Sequence, residues 1–323
     1  MSSAASDVYK RQEKARAEQK LVPAGHQVVN LRLRAHFGEA HWAAEQMGGV
    51  SHLFFLRELI DMIEKSWPHV LTVLEEMRRL LVNRRAMVFN ITLDKKSWPG
   101  FELQIHQALD AMPDGPVAVA DWVTKDTPLF EGMTIPSHVN YVGKGANLYE
   151  LGYRFHGSAL VIARYLRNSY LWDRIRVQGG AYGAFCLFDR LSGVLTFVSY
   201  RDPGLIKTLE AFDNTAAFLC DLELDDQELN KSIIGAIGDL DAYMLPDIKG
   251  YTSLLRYLSH DAEEARQQLR DEVLATGKDD FKVFGTLLEE VKRRGVVKVL
   301  GSQDAIDAAA SDRPGWLSVL KVL

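Results

Sequence analysis

The chain has 323 residues, 47% of them hydrophobic and 25% charged, with a formal net charge of −5. That length suits about two globular domains, and the composition is that of an ordinary folded protein. The weak negative charge offers no basic field for nucleic acid, and no apolar run is long enough to cross a bilayer, so neither is expected as a partner.

Residues 1–36 carry seven Lys or Arg against three acids and open with MSSAAS. The stretch has the look of a transit peptide, but Glu13 and Glu18 interrupt it. Residues 1–12, ending in DVYKRQ, read as translated adapter sequence, a non-native tail expected to be disordered. From 26 to 82 the pattern is helical. Leu53, Leu56, Leu59, Ile60 and Ile63 recur at three- and four-residue spacing, as do Val70, Val73, Leu74, Met77 and Leu81 beyond Trp67 and Pro68. MVFNITL, 87–93, reads as a strand, and a helix over roughly 101–111 ends at MPDG. These elements define a first, mostly helical domain over 13–112. Residues 113–136, with four prolines and two glycines, read as the interdomain connection.

The second domain, 137–323, opens with a strand in HVNYVG, 138–143, and a helix from about 148 to 168. A short helix, LWDRIRV, leads into Gly179 and Gly180, and an alternating hairpin follows. Both hairpin faces are apolar, as in a sheet covered by helices. Helices over about 203–220, 225–242, 246–258 and 279–293, a strand VVKVLG and a short helix after Ser302 complete the chain. The order of elements is α+β.

Cys186 and Cys220 are too few for a disulfide framework and lack a CxxC metal spacing, which fits a reducing compartment. Cys186 sits on an apolar strand and reads as a small core residue. The acids Asp221, Glu223, Asp225, Asp226 and Glu228 suit a helix entrance, with Asp225 as its cap. YVGKGAN has glycines around Lys144 but not the spacing of a phosphate loop.

Chemistry is expected at RIRVQGGAYG. Arg176 and Tyr182 flank Gly179 and Gly180, and a glycine pair lets the backbone turn tightly or approach a ligand. A guanidinium fork and a phenol can then converge on a carbonyl whose oxygen becomes negative in a transition state. Packing alone also accounts for an arginine ending a helix and a tyrosine opening a strand.

The run RVQGGAYGAFCLFDRLSGVLTFVSYRDP closely resembles the last domain of presequence proteases, zinc oligopeptidases of the pitrilysin family. AEQMGGVSHLFFLREL at 44–59, IPSHVNYVGKGANLY at 135–149 and IGDLDAYMLPDIKGYTSLLRYL at 237–258 resemble the same proteins, so the likeness covers roughly 24–309. It implies two domains of the pitrilysin or processing-peptidase type, each a mainly antiparallel sheet packed with helices, the first incomplete. It also implies that Arg176 and Tyr182 bind substrate backbone opposite a zinc ion, with Gly179 and Gly180 as supports. The family's metal motif, His-x-x-Glu-His on a helix, is absent. In HFGEAH, His36 and His41 would point about 140° apart on a helix, with Glu39 between them. Zinc is therefore expected on an N-terminal half of the same protease, outside this chain.

Two function classes follow. One is the C-terminal half of a metalloendopeptidase that degrades presequences and other short peptides, inactive without its partner half, in a mitochondrial matrix or plastid stroma. The other is a noncatalytic peptide-binding or scaffold subunit of the same fold.

Overall fold

The computed structural model of the chain describes residues 3–117, 119, 122–124 and 127–323, with the backbone alone for residues 3–10. Helices α1 (Ser3–Lys20), α2 (Gly25–Arg34), α3 (Glu39–Gly48), α4 (Val50–Lys65), α5 (Trp67–Leu81) and α6 (Trp98–Asp110) come first. Strands β1 (Phe130–Thr134) and β2 (Tyr141–Asn147), helix α7 (Ser158–Asn168) and the hairpin of β3 (Gly183–Asp189) and β4 (Val194–Tyr200) follow. Helices α8 (Ile206–Asp213), α9 (Thr215–Cys220), α10 (Asp226–Leu240), α11 (Pro246–Leu258), α12 (Glu263–Leu274) and α13 (Lys278–Arg294) lead to β5 (Val296–Gly301), α14 (Gln303–Asp312) and β6 (Ser318–Lys321).

Two compact units result, one of residues 1–56, 124–241 and 266–323, the other of 57–123 and 242–265. This division differs from the expected blocks at 13–112 and 137–323. Residues 242–265 lie inside the second block yet cluster with the middle of the first.

The larger unit is built on a six-stranded sheet, ordered β3-β4-β2-β5-β1-β6. Three of its five pairings are antiparallel and the two made by β1 are parallel, so the sheet is mainly antiparallel. Helix α2 lies so close over β2 that a Cβ at Gly143 would fall 2.5 Å from Cγ1 of Val29. On the other face Val142, Cys186, Leu195, Phe197 and Val299 join buried side chains of α7, α8, α9 and α13 in the larger apolar core. Apolar burial of this kind contributes roughly 1.5–3 kcal/mol per large side chain.

Several elements depart from the expectations. Helix α1 runs from Ser3, through residues expected to form a disordered tail. Phe130–Thr134, placed in the connection, is strand β1 inside the sheet. The helix expected over 148–168 begins only at Ser158, because Gly152 takes a φ of +89° and closes a turn in which Tyr153 N–H donates to Leu148 O. The helix expected over 203–220 divides at Asn214. In the smaller unit, 87–93 carries no sheet ladder. Its neighbour is a helix, with Asn90 Nδ2 donating to Gly250 O of α11 at 3.0 Å.

Beneath α2 and α3 the larger unit holds a buried ionic cluster. Glu131 of β1 accepts two hydrogen bonds from Arg32, both 2.9 Å, and lies 3.2 Å from Lys298 Nζ of β5. Arg32 also donates to Glu45 at 3.2 Å and to Ser51 Oγ at 3.1 Å, and Lys298 donates to Pro128 O. Burial works to raise the Glu131 carboxyl, but Arg32 and Lys298 hold it below the ordinary value. For Lys298 burial outweighs Glu131, and its ammonium is pushed down from 10.5 to about 8. The unfolded chain therefore binds more protons at this site between those two values. Stability from Lys298 is expected to rise with pH from about 8 to 10.5. Urea midpoints of the parent and of Lys298→Met across that range check this, since the variant should lose that rise.

Candidate functional site

The candidate site forms where the π-helix Trp172–Val177 meets the hairpin. Gln178 N–H reaches back to Asp173 O at 2.9 Å, the wide spacing that defines such a turn, and π-turns recur at functional sites. Ile175, 2% exposed, anchors the turn in the larger core. Gly180 N–H then donates to Arg176 O and Ala181 N–H to Ile175 O, both at 3.1 Å. Each glycine has a specific reason. A Cβ at Gly179 would lie 2.6 Å from the carbonyl oxygen of Ile175, and Gly180 has a φ of +79°.

This turn connects Arg176 to Tyr182. The Arg176 guanidinium stacks on the Trp172 ring, 3.9 Å from its centroid, which limits the directions its donors take. Its head is exposed and has no ion-pair partner among the described residues. Tyr182 is 69% exposed, and its phenol has no hydrogen-bond partner among the described residues. Its backbone is tied down, with N–H donating to Tyr200 O at 3.0 Å, and its ring meets Tyr200 edge-on at 6.5 Å. Both predicted side chains thus present unspent donors on a backbone held by hydrogen bonds.

The loop after β4 supports the tyrosine from behind. Arg201 sits over the Tyr182 and Tyr200 rings at 5.7 and 5.5 Å, in the left-handed region with a φ of +48°. Asp202 follows, 1% exposed, accepting from Thr208 Oγ1 at 2.7 Å and Gly204 N–H at 2.8 Å, and pairing its backbone with Asn140. Burial raises its carboxyl above the ordinary value. His26 stacks on Phe185 and meets Tyr200 edge-on, and burial lowers its imidazole below the ordinary value. Arg201, Trp172 and Tyr200 carry no motif signal in the sequence, and the glycine pair is the one local cue to the turn.

The remaining candidates resolve into structural roles. His36 meets Thr127 Oγ1 at 2.9 Å while His41 meets Arg34 at 3.2 Å, so the HFGEAH histidines serve different partners. Burial, then the Arg34 cation, lowers the His41 imidazole. Among the described residues no group of three His, Cys, Asp or Glu is placed to hold a metal ion. Lys144 is buried in β2, where Nζ bonds Asp213 and the carbonyl of Lys292. Asp225 caps α10, accepting from Glu228 N–H at 2.7 Å, and Asp226 pairs with Lys278.

The larger unit is a mainly antiparallel sheet with helices on both faces, and comparison with known proteins gives its class. A family model described as PreP C-terminal domain matches residues 130–303, and a second, of a peptidase-associated domain, matches 10–59. Presequence protease 1, chloroplastic/mitochondrial, of Arabidopsis thaliana is 44% identical over 313 residues, 97% of this chain and 29% of that protein. Protein HypA of Clostridium perfringens is 28% identical over 296 residues, 92% of this chain and 30% of that protein. The crystal structure of pitrilysin superposes with a TM-score of 0.46 at 12% identity, covering 71% of this chain and 25% of that one. The chain belongs to the presequence-protease family, in its C-terminal region. It spans about three-tenths of the length of these curated relatives.

Proposed function

We propose that this chain supplies the substrate-holding wall of a metalloendopeptidase that degrades presequences and other short unstructured peptides. The observation that carries the reading is the pair of unspent donors, Arg176 and Tyr182, on a hydrogen-bonded turn in a chain of this family. The Tyr182 phenol donates to a substrate carbonyl oxygen as it gains negative charge, an interaction that strengthens toward the transition state. Arg176, held on Trp172, donates to peptide carbonyls beside the scissile bond and fixes the register of the substrate.

Zinc does not fit the described residues of this chain, since its histidines are dispersed and the HFGEAH pair is divided between Thr127 and Arg34. The metal belongs, in this reading, to an N-terminal half of the same protease, which is the chain's main partner. Relatives named chloroplastic or mitochondrial support an organellar location, matrix or stroma, and presequences as substrates.

The test is complementation. The purified chain alone is expected to leave a fluorogenic presequence peptide uncut, and to restore zinc-dependent cleavage when combined with the N-terminal half of a close relative. Cleavage by the chain alone, with metal bound stoichiometrically, would sink the proposal. Peptide binding without cleavage in the reassembled pair would favour a noncatalytic binding subunit.

A further inference from the structure

We propose that the cavity between α1, α2 and the α3–α4 junction binds a small amphiphile with a carboxylate head and an alkyl tail, of the chemical class of a medium-chain fatty acid. The cavity stands apart from the carbonyl-holding site. Neither Arg176 nor Tyr182 lines it, and its walls, from Glu13 to Leu53, fall where the peptidase-associated model matches and outside the match to the C-terminal-domain model.

Two sharp helix corners create the space. Ala24 N–H donates to Lys20 O at 2.9 Å where α1 turns into α2, and Gly49 alone separates α3 from α4, with its N–H donating to Glu45 O at 2.7 Å. Between the corners lies a cavity of about 410 Å³, inside the range of roughly 300–1,000 Å³ typical of small-molecule sites. Its floor is core. Leu21, Val28 and Leu53 line it, are 3%, 9% and 1% exposed, and belong to the smaller apolar cluster. Gly48 leaves its wall open, since a Cβ built there meets only Leu31 Cδ2, at 4.0 Å, whereas one at Gly49 would strike Glu45 at 2.8 Å.

The rim carries unspent positive charge. Glu13 and Arg16 neutralise each other at 2.6 Å. The Lys20 ammonium and the His52 ring also line the cavity, and neither has a hydrogen-bond or ion-pair partner among the described residues. Glu45, the acid nearest in sequence to Gly48, is turned into the ion pair with Arg32 and does not line the cavity. A carboxylate at the mouth thus meets a free cation with no competing acid, and an alkyl tail meets the floor. A peptide suits the floor less well. The side chains of Leu21, Val28 and Leu53 offer nothing to pair with buried amides, which would be left unsatisfied there.

The experiment titrates the purified chain with decanoate and with decanol, below their aggregation limits, by calorimetry. One decanoate per chain is expected, with affinity rising about fourfold per methylene from octanoate to decanoate. Lys20 is exposed on α1, so Lys20→Gln should leave the fold intact. It is expected to weaken decanoate by about three- to fivefold and leave decanol unchanged. Gly48→Leu places a side chain at the open wall and is expected to weaken both ligands by about tenfold or more, with a melting temperature no lower than the parent's. Tyr182→Phe and Arg176→Gln should alter none of these results, so this site and the carbonyl-holding site stand or fall separately. Absence of saturable decanoate binding, equal effects of Lys20→Gln on acid and alcohol, or parent-like binding by folded Gly48→Leu each overturns the proposal.

Discussion

Tyr182→Phe, introduced into a complete enzyme reassembled around this chain, is expected to lower kcat by about 100- to 1000-fold with bound metal unchanged. The reason is the state of the phenol. It is 69% exposed with no internal hydrogen-bond partner, so the hydroxyl has no structural bond to lose. The ring keeps its edge contact with Tyr200 and its Arg201 neighbour in the Phe variant. Folding should therefore be untouched, with a melting temperature equal to the parent's. A donor that acts only as the carbonyl oxygen gains charge changes kcat and kcat/KM together and leaves KM nearly constant. Arg176→Gln should instead raise KM more than it lowers kcat, because a register-setting contact is made to the bound peptide before the transition state. If Tyr182→Phe retained more than about a tenth of the parent turnover, the residue would be a packing residue at the strand entrance and the carbonyl-holding role would be withdrawn.

The parts legible in the sequence are those whose cause is local. GAFCLFD and VLTFVSY alternate apolar side chains around a short turn, and they form β3 and β4 at that place. The glycine pair announces a turn, and Gly179 and Gly180 are there for a close carbonyl and a positive φ. Asp225 caps its helix as its type and position suggest. What was not legible depends on distant partners. FEGMT shows neither strand period nor apolar run, because Glu131 is buried against Arg32, 99 residues away in sequence. That ion pair lets an acidic residue lie inside the sheet, where the segment pairs with β5 and β6. MVFNITL has strand composition, but a strand needs a ladder, and its backbone has a helix beside it instead. At the candidate site the same divide holds. Arg176 and Tyr182 are legible as a cation and a phenol flanking a glycine pair, and the family resemblance gives them a role, whereas the left-handed Arg201 exists only once the chain has folded.

Glu131→Gln is expected to be the most damaging single change in the larger unit, costing about 3–5 kcal/mol. Glu131 is 2% exposed and holds two cations, Arg32 through both carboxylate oxygens and Lys298 at 3.2 Å. A neutral amide offers one acceptor and a pair of N–H donors to a site built from donors. The guanidinium keeps Glu45 as a partner, but Lys298, wholly buried, is left with the carbonyl of Pro128. An ammonium without its counterion in a dry interior loses its proton or draws in water, and either outcome loosens β5 against β1. Lys298→Met should cost much less, because it removes a cation whose burial is already unfavourable and leaves the Arg32–Glu131 fork intact. Amide exchange of Val297 and Val299, which lie opposite Phe130 and Gly132 in the β1–β5 pairing, reports the opening of this sheet. The opening free energy at those amides should fall by about 3–5 kcal/mol in Glu131→Gln and by roughly a third of that or less in Lys298→Met. Equal losses in the two variants would show that the cluster acts as an isolated Glu131–Lys298 pair, with Arg32 making no independent contribution to holding the carboxylate.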